Sequence, residues 1–167
     1  MYLIFFIICI LIVYILGYYR WPKTISLLQT SLIEFSFTML LEKQPIVIED
    51  KNTDLSKINN LLFKYAYSNS FTLQSNEIWH RNRYKYCLFR FEDDGEIYLL
   101  NPRAKIVNNI PNNDENIIAI QAKKGQIIIL PFHWNYMIPF KNNNENVFTP
   151  NTLETIGIHD LITYFLP

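Results

Sequence analysis

Residues Met1 to Tyr19 read MYLIFFIICILIVYILGYY, without one charged side chain, and Arg20, Trp21 and Pro22 follow directly. A run of about 18 or more such residues can cross the roughly 30 Å hydrocarbon core of a bilayer as one helix. A buried helix of a small domain is a poorer fit, because a segment apolar on every side must be covered on every side. A cleaved secretory signal also fits poorly. No Lys or Arg precedes the run, and Gly17-Tyr18-Tyr19-Arg20 lacks an A-x-A-like cleavage site. The expectation is a transmembrane anchor over residues 1–20. Tyr18, Tyr19, Arg20, Trp21 and Lys23 are expected at the membrane interface, with Pro22 stopping the helix.

The flanking charges give the anchor a direction. Only the α-amino group lies before it, whereas Arg20 and Lys23 lie just after, so the positive-inside rule leaves the following domain facing the cytosol. No N-x-S/T sequon occurs despite abundant Asn, which agrees. Cys9 lies within the apolar run and cannot plausibly pair with Cys87, which reads as a buried strand thiol.

Residues 21–167 amount to one domain by length. The chain carries 15 basic and 15 acidic residues, so no nucleic-acid-binding surface is expected. The bias toward Ile, Asn, Lys, Tyr and Phe is that of an AT-rich genome and is silent about chemistry.

From Thr24 to Leu41, Ile25, Leu28, Leu32, Phe35 and Met39 recur at helical spacing, which predicts a membrane-proximal helix within residues 21–42. Gln44 to Glu49 reads as a short buried strand, and Asp54 as the N-cap of a second helix carrying Leu55, Ile58, Leu62 and Tyr65. Beyond residue 70 the period becomes two. Tyr86–Phe91 and Glu96–Leu100 flank Asp93-Asp94-Gly95, and Ile117–Ile120 and Gln126–Leu130 flank Lys123-Lys124-Gly125, which predicts two hairpins. Asn108–Asn116 and Lys141–Asn146 read as polar loops. The sum is an α+β domain: helices packed on an antiparallel β-sandwich or barrel.

Two segments carry a family resemblance. Lys43-Gln44-Pro45-Ile46-Val47-Ile48 is similar to a "kPvvi" strand, and Lys124 to Tyr136, KGQIIILPFHWNY, is similar to a "pGDvlyiPpgWwHyV" strand, turn and strand. Both motifs belong to cupin-like domains of the Jumonji-C and factor-inhibiting type. The likeness covers about residues 43–138, and a cupin-like domain is assigned to residues 43–167. Active members of that family hold Fe(II) with a His-x-Asp/Glu pair and a distal His, a facial triad with open positions for cosubstrate and oxygen. The corresponding positions here are His80, Asn82 and Tyr136, and Ile97 stands where a Lys often anchors 2-oxoglutarate. The resemblance therefore implies a cupin scaffold whose iron site is degenerate: no metal ligand set, no catalytic residue and no cofactor are expected.

Simpler readings of the same residues are structural. His80 beside Trp79 reads as a strand residue, and His133-Trp134 as a turn whose indole fills the mouth of the sandwich. His159-Asp160 reads as the start of a helix over Leu161–Leu166, since adjacent residues point in different directions. Arg81, Arg83, Lys85 and Arg90 read as one solvated strand face, with acidic partners or lipid headgroups as the alternative. No G-x-S-x-G, C-x-x-C, H-E-x-x-H, Walker A or G-x-G-x-x-G motif occurs.

The function expected is that of a non-enzymatic, membrane-anchored structural or interaction protein. Its partners would be the bilayer and other membrane or capsid proteins. The composition and small anchored format point to a large DNA virus, with this chain linking a virion inner membrane to the capsid layer. The first alternative is a membrane-bound Fe(II)/2-oxoglutarate dioxygenase-like enzyme. The second is a small-ligand or glycan-binding module using a pocket at Trp79, Trp134 and Tyr136.

Overall fold

Three apolar strands explain the architecture: β2 (Ile46–Ile48) and β10 (Ile127–Pro131), rich in Ile, and β5 (Tyr86–Arg90), which buries Cys87, Leu88 and Phe89. β10 is buried at every position, which a strand with one wet face cannot be. Alternation then divides its side chains between two cores. Val47, Cys87, Phe89, Ile128 and Leu130 point into one core; Ile46, Ile48, Leu88, Ile127 and Ile129 point into the other. The structure, a computed structural model, describes residues 2–19, 22, 24–50, 58, 77–91, 93–112 and 116–139, and the backbone of 67–73 and 145–151. The side chains of residues 14, 18, 19 and 37 lie outside the described ones.

A six-stranded sheet runs in the order β1 (Leu28–Thr30), β2, β10, β5, β12 (Glu145–Asn151), β3 (Tyr67–Leu73). A four-stranded sheet runs β4 (His80–Arg81), β11 (Asn135–Met137), β6 (Gly95–Leu100), β9 (Ile118–Ala122). The first core lies between them, because Ile97, Leu99, Ile120, Ala122 and Tyr136 of the smaller sheet join it. The second core lies on the outer face of the larger sheet, covered by Phe35, Leu40 and Ile58. From β9 to β12 the chain passes from one sheet to the other at every step, the connectivity of a double-sheet jelly roll.

Both expected hairpins are overturned by this pairing. β5 and β6 lie in different sheets, as do β9 and β10, so Asp93-Asp94-Gly95 and Lys123-Lys124-Gly125 are arches between sheets. Gly125 has φ 83°, whereas Gly95 is not among the residues with positive φ that a type I′ turn needs. The two arches grip each other. Gly125 N–H donates to Phe91 C=O at 2.8 Å, Lys124 N–H donates to Asp94 Oδ1 at 2.7 Å, and Lys124 pairs with Asp93 at 3.6 Å. A hairpin does occur within the expected Asn108–Asn116 loop. β7 (Ile106–Val107) pairs β8 (Ile110–Pro111) across Asn108 and Asn109, whose φ values of 50° and 64° suit a type I′ turn. The expected helices near Asp54 and His159 lie outside the described residues, apart from helical, buried Ile58.

The single helix expected over Thr24–Leu41 is also corrected. This stretch contains β1, a turn in which Phe35 N–H reaches Ser31 C=O, and a short helix α2 (Phe37–Leu41). Its apolar residues divide between the two cores, Ile25 and Leu27 on one and Leu28, Leu32 and Met39 on the other. Parallel pairing of β1 with β2 rewards that division, where a helix would present one stripe. Gln44, 3% exposed, holds the segment down: its Nε2 donates to Thr24 C=O at 2.7 Å and its Oε1 accepts Ser26 N–H at 3.2 Å. Gln44→Ala is expected to lower unfolding stability by about 1–3 kcal/mol, as two backbone groups lose their partner. Chemical denaturation measures it.

α1 spans Tyr2–Tyr19, 18 residues without acidic or basic side chains at its ends. Its large side chains are exposed on every face, from Leu3, Ile4 and Phe5 through Ile12, Val13 and Leu16. Among the described residues no helix is long and apolar enough to cross a membrane. At 1.5 Å per residue α1 alone reaches about 27 Å, short of the roughly 30 Å core, and the adjoining Met1, Arg20 and Trp21 lie outside the described residues. The side chains of Tyr18, Tyr19 and Lys23 lie outside them too. At its foot, Gly17 C=O accepts a hydrogen bond from Lys43 Nζ.

Candidate functional site

The three positions picked out by the resemblance lie on and beside β4 and β11. His80 and Tyr136 are cross-strand partners, with ring centroids 5.5 Å apart. Phe89 meets the other side of Tyr136 edge-on at 4.9 Å. The phenol is 6% exposed, and burial pushes its ionisation well above the ordinary tyrosine range. A phenol held neutral in this way is a weak metal ligand. Burial pushes the His80 imidazole down, so the neutral ring is favoured there.

Asn82 decides what the site can do. It is 2% exposed, and its Nδ2 donates to both Leu130 C=O and Pro131 C=O at 2.9 Å. Its Oδ1 accepts Tyr84 N–H at 2.9 Å, its N–H donates to Trp134 C=O at 2.8 Å, and its C=O accepts His133 N–H at 2.8 Å. The amide is thus committed to pinning the β10–β11 turn to the strand before β5. A carboxylate could not do this, having no hydrogens to offer two carbonyls. The residues present do not fit an Fe(II) triad. Among the described residues no group of three His, Cys, Asp or Glu side chains could hold a metal ion.

The turn that Asn82 grips carries the remaining candidates. His133 adopts φ 64°, a left-handed conformation that His tolerates better than most residues, and stacks on Phe132 at 3.8 Å. Trp134 is fully buried in the inter-sheet core, and its Nε1 donates to Lys43 C=O at 2.9 Å. Trp134 and Tyr136 therefore fill the sandwich where the pocket reading needs them to line an open mouth. Trp79 is half-buried and apart from that core. Its N–H donates to Asn109 Oδ1 at 2.7 Å, while Asn109 Nδ2 donates to Glu77 C=O at 3.0 Å.

The basic cluster does not form one strand face. Arg81 lies on β4 of the smaller sheet, with its Nε donating to Asn135 Oδ1 at 3.2 Å, while Arg90 ends β5 of the larger sheet. Sequence reasoning missed Lys43 as the residue reaching the foot of α1 and Gln44 as the one holding the segment at Thr24 and Ser26. Their only signal was adjacency to Pro45 in the family-like strand.

Two buried acids and half-buried Tyr86 give the core a pH signature. Burial holds the Cys87 thiol and the Tyr136 phenol far above their ordinary range and pushes the Tyr86 phenol up to about 12. A group whose folded pKa is raised contributes stability below its unfolded pKa and loses it as pH rises toward the folded value. The denaturant midpoint is therefore expected to fall from about pH 9 upward. Burial disfavours the Lys43 and Lys85 ammonium forms, which acts in the opposite sense and softens the slope. A midpoint that stays flat from pH 8 to 11 would contradict this assignment.

No protein-family model matches the chain, and no curated protein matches its sequence. Among solved structures, RmlC from Streptococcus suis, solved in complex with dTDP-D-xylose, matches at 12% identity and a TM-score of 0.33. The match covers 66% of this chain and 64% of that one, so the chain spans less than two thirds of RmlC's length. At that score the match carries nothing about chemistry. The fold is mostly β, with few helices, and its two facing sheets are consistent with a cupin-like β-sandwich. That statement rests on strand order and packing.

Proposed function

We propose that this chain is a non-enzymatic, membrane-anchored structural or interaction protein, with a degenerate cupin-like domain held at the cytosolic face of a bilayer. The observation that carries the reading is α1, whose uncharged apolar side chains are exposed on every face and have no protein surface over them among the described residues. A helix a few Å shorter than the hydrocarbon core is accommodated by local thinning and by snorkelling of flanking residues. The commitment of Asn82 to backbone carbonyls supports a scaffold kept for binding and not for iron chemistry. The composition favours a large DNA virus as the setting, with a capsid layer facing the membrane as partner.

Two measurements on the full chain test this. Detergent extraction from its native membrane is expected to bring down a membrane or capsid-like protein in fixed ratio. Purified protein supplied with Fe(II) and 2-oxoglutarate is expected to retain no stoichiometric iron and to turn over no cosubstrate. Iron retention with turnover would establish the dioxygenase instead.

A further inference from the structure

The hydrogen bonds around Lys43 put the foot of α1 at one end of the sandwich. Lys43 Nζ reaches Gly17 C=O, Gln44 holds Thr24 and Ser26, and Trp134 Nε1 reaches Lys43 C=O. Strand register gathers other segments at the same end. Tyr86 pairs with Pro131, and Asn135 pairs with both Arg81 and Leu100. The loop from Asn82 to Lys85 and the turn from Asn101 to Ala104 therefore close the end from which α1 leaves.

Among the described residues that end is basic: Arg81, Arg83 and Arg103 are exposed there, with half-buried Lys85 and Lys43 beside them and Glu42 as a neighbouring carboxylate. The opposite end lies about 14 Å along β5, four steps of roughly 3.4 Å away. There Arg90 pairs with Ile127, and the interlocked arches set Asp93 and Asp94 against Lys123 and Lys124. The two ends differ in charge, and the basic one adjoins the anchor.

From this we infer that the Arg83 and Arg103 end of the sandwich rests on an anionic lipid headgroup layer, fixing the domain upright on the bilayer. The inference rests on the membrane-anchor reading and adds a face and a lipid class to it. Basic residues are attracted to an anionic surface, and the attraction fades within a Debye length and with added salt. Arg81 is partly tied to Asn135, so Arg83 and Arg103 are the better probes.

The test is hydrogen exchange of the full chain reconstituted in vesicles of phosphatidylcholine, alone or mixed with phosphatidylserine. Amides of 82–85, 101, 103 and 104 are expected to exchange about tenfold more slowly on the mixed vesicles. Amides of 93–95 and 123–126 are expected to stay unchanged. Added salt and the double variant Arg83→Glu with Arg103→Glu are both expected to remove the slowing while the protein still floats with the vesicles. Equal exchange on both vesicle types, with the protein still floating, overturns the lipid assignment alone and leaves this end for an acidic protein. Failure to float with either vesicle overturns the anchor reading and this inference with it.

Discussion

Replacing Asn82 with Asp is expected to destabilise the fold by about 3–5 kcal/mol and to confer no iron binding. The substitution restores the residue type that the resembled family uses as a ligand, so it separates a lost site from a rebuilt one. At this position the carboxylate would face Leu130 C=O and Pro131 C=O, both now accepting from the amide at 2.9 Å. Two acceptors would oppose a buried anion. Burial beside two carbonyls would raise the pKa of the new carboxyl, and protonation returns one donor, so the deficit is expected to shrink as pH falls from that raised value to the usual carboxylate range. Asn82→Ala, which leaves carbonyls unpaired without adding charge, is expected to cost about 1–3 kcal/mol. Denaturant unfolding at pH 7 and pH 4, with metal analysis of each variant, reads all three. A variant as stable as the parent and holding one iron would show that the turn tolerates a metal site.

Two arginines in the middle of α1, Ile8→Arg with Leu11→Arg, are expected to remove the chain from the membrane fraction. Each costs about 2.5–3.5 kcal/mol at the centre of an inserted helix, so the pair offsets partitioning by roughly 5–7 kcal/mol. Ile8 and Leu11 are 50% and 47% exposed, and α1 has no acidic residue in its first turn. The sandwich is expected to keep its unfolding midpoint, because α1 exposes its large side chains and contributes none to either core. Exchanging Ile8 for Leu and Leu11 for Ile preserves the apolar character and is expected to leave partitioning unchanged. If the arginine variant stays with the membrane, the apolar surface of α1 serves another partner.

The strands were legible because β-branched and aromatic residues cluster where the structure has β2, β5, β6, β9 and β10. Their pairing was not. Asp-Gly and Lys-Gly between two apolar runs signal a tight hairpin, and an arch between sheets uses the same residues. Burial of both faces of β10 decides between them, a property of strands remote in sequence. The segment Thr24–Leu41 misled for a related reason. Its apolar residues serve two cores on opposite faces of one sheet, and their combined spacing imitates a helix. At the site, His80 and Tyr136, singled out by motif spacing, are cross-strand partners. What Asn82 does was invisible, since the carbonyls it holds are 48 and 49 residues away.

The most direct measurement is flotation of the full, unmodified chain with phospholipid vesicles, followed by alkaline carbonate washing. The account predicts that the protein stays with the lipid through the wash. It further predicts that protease added outside leaves a lipid-protected fragment containing residues 2–19. Release of the intact chain by carbonate, or complete digestion of that helix, would contradict it.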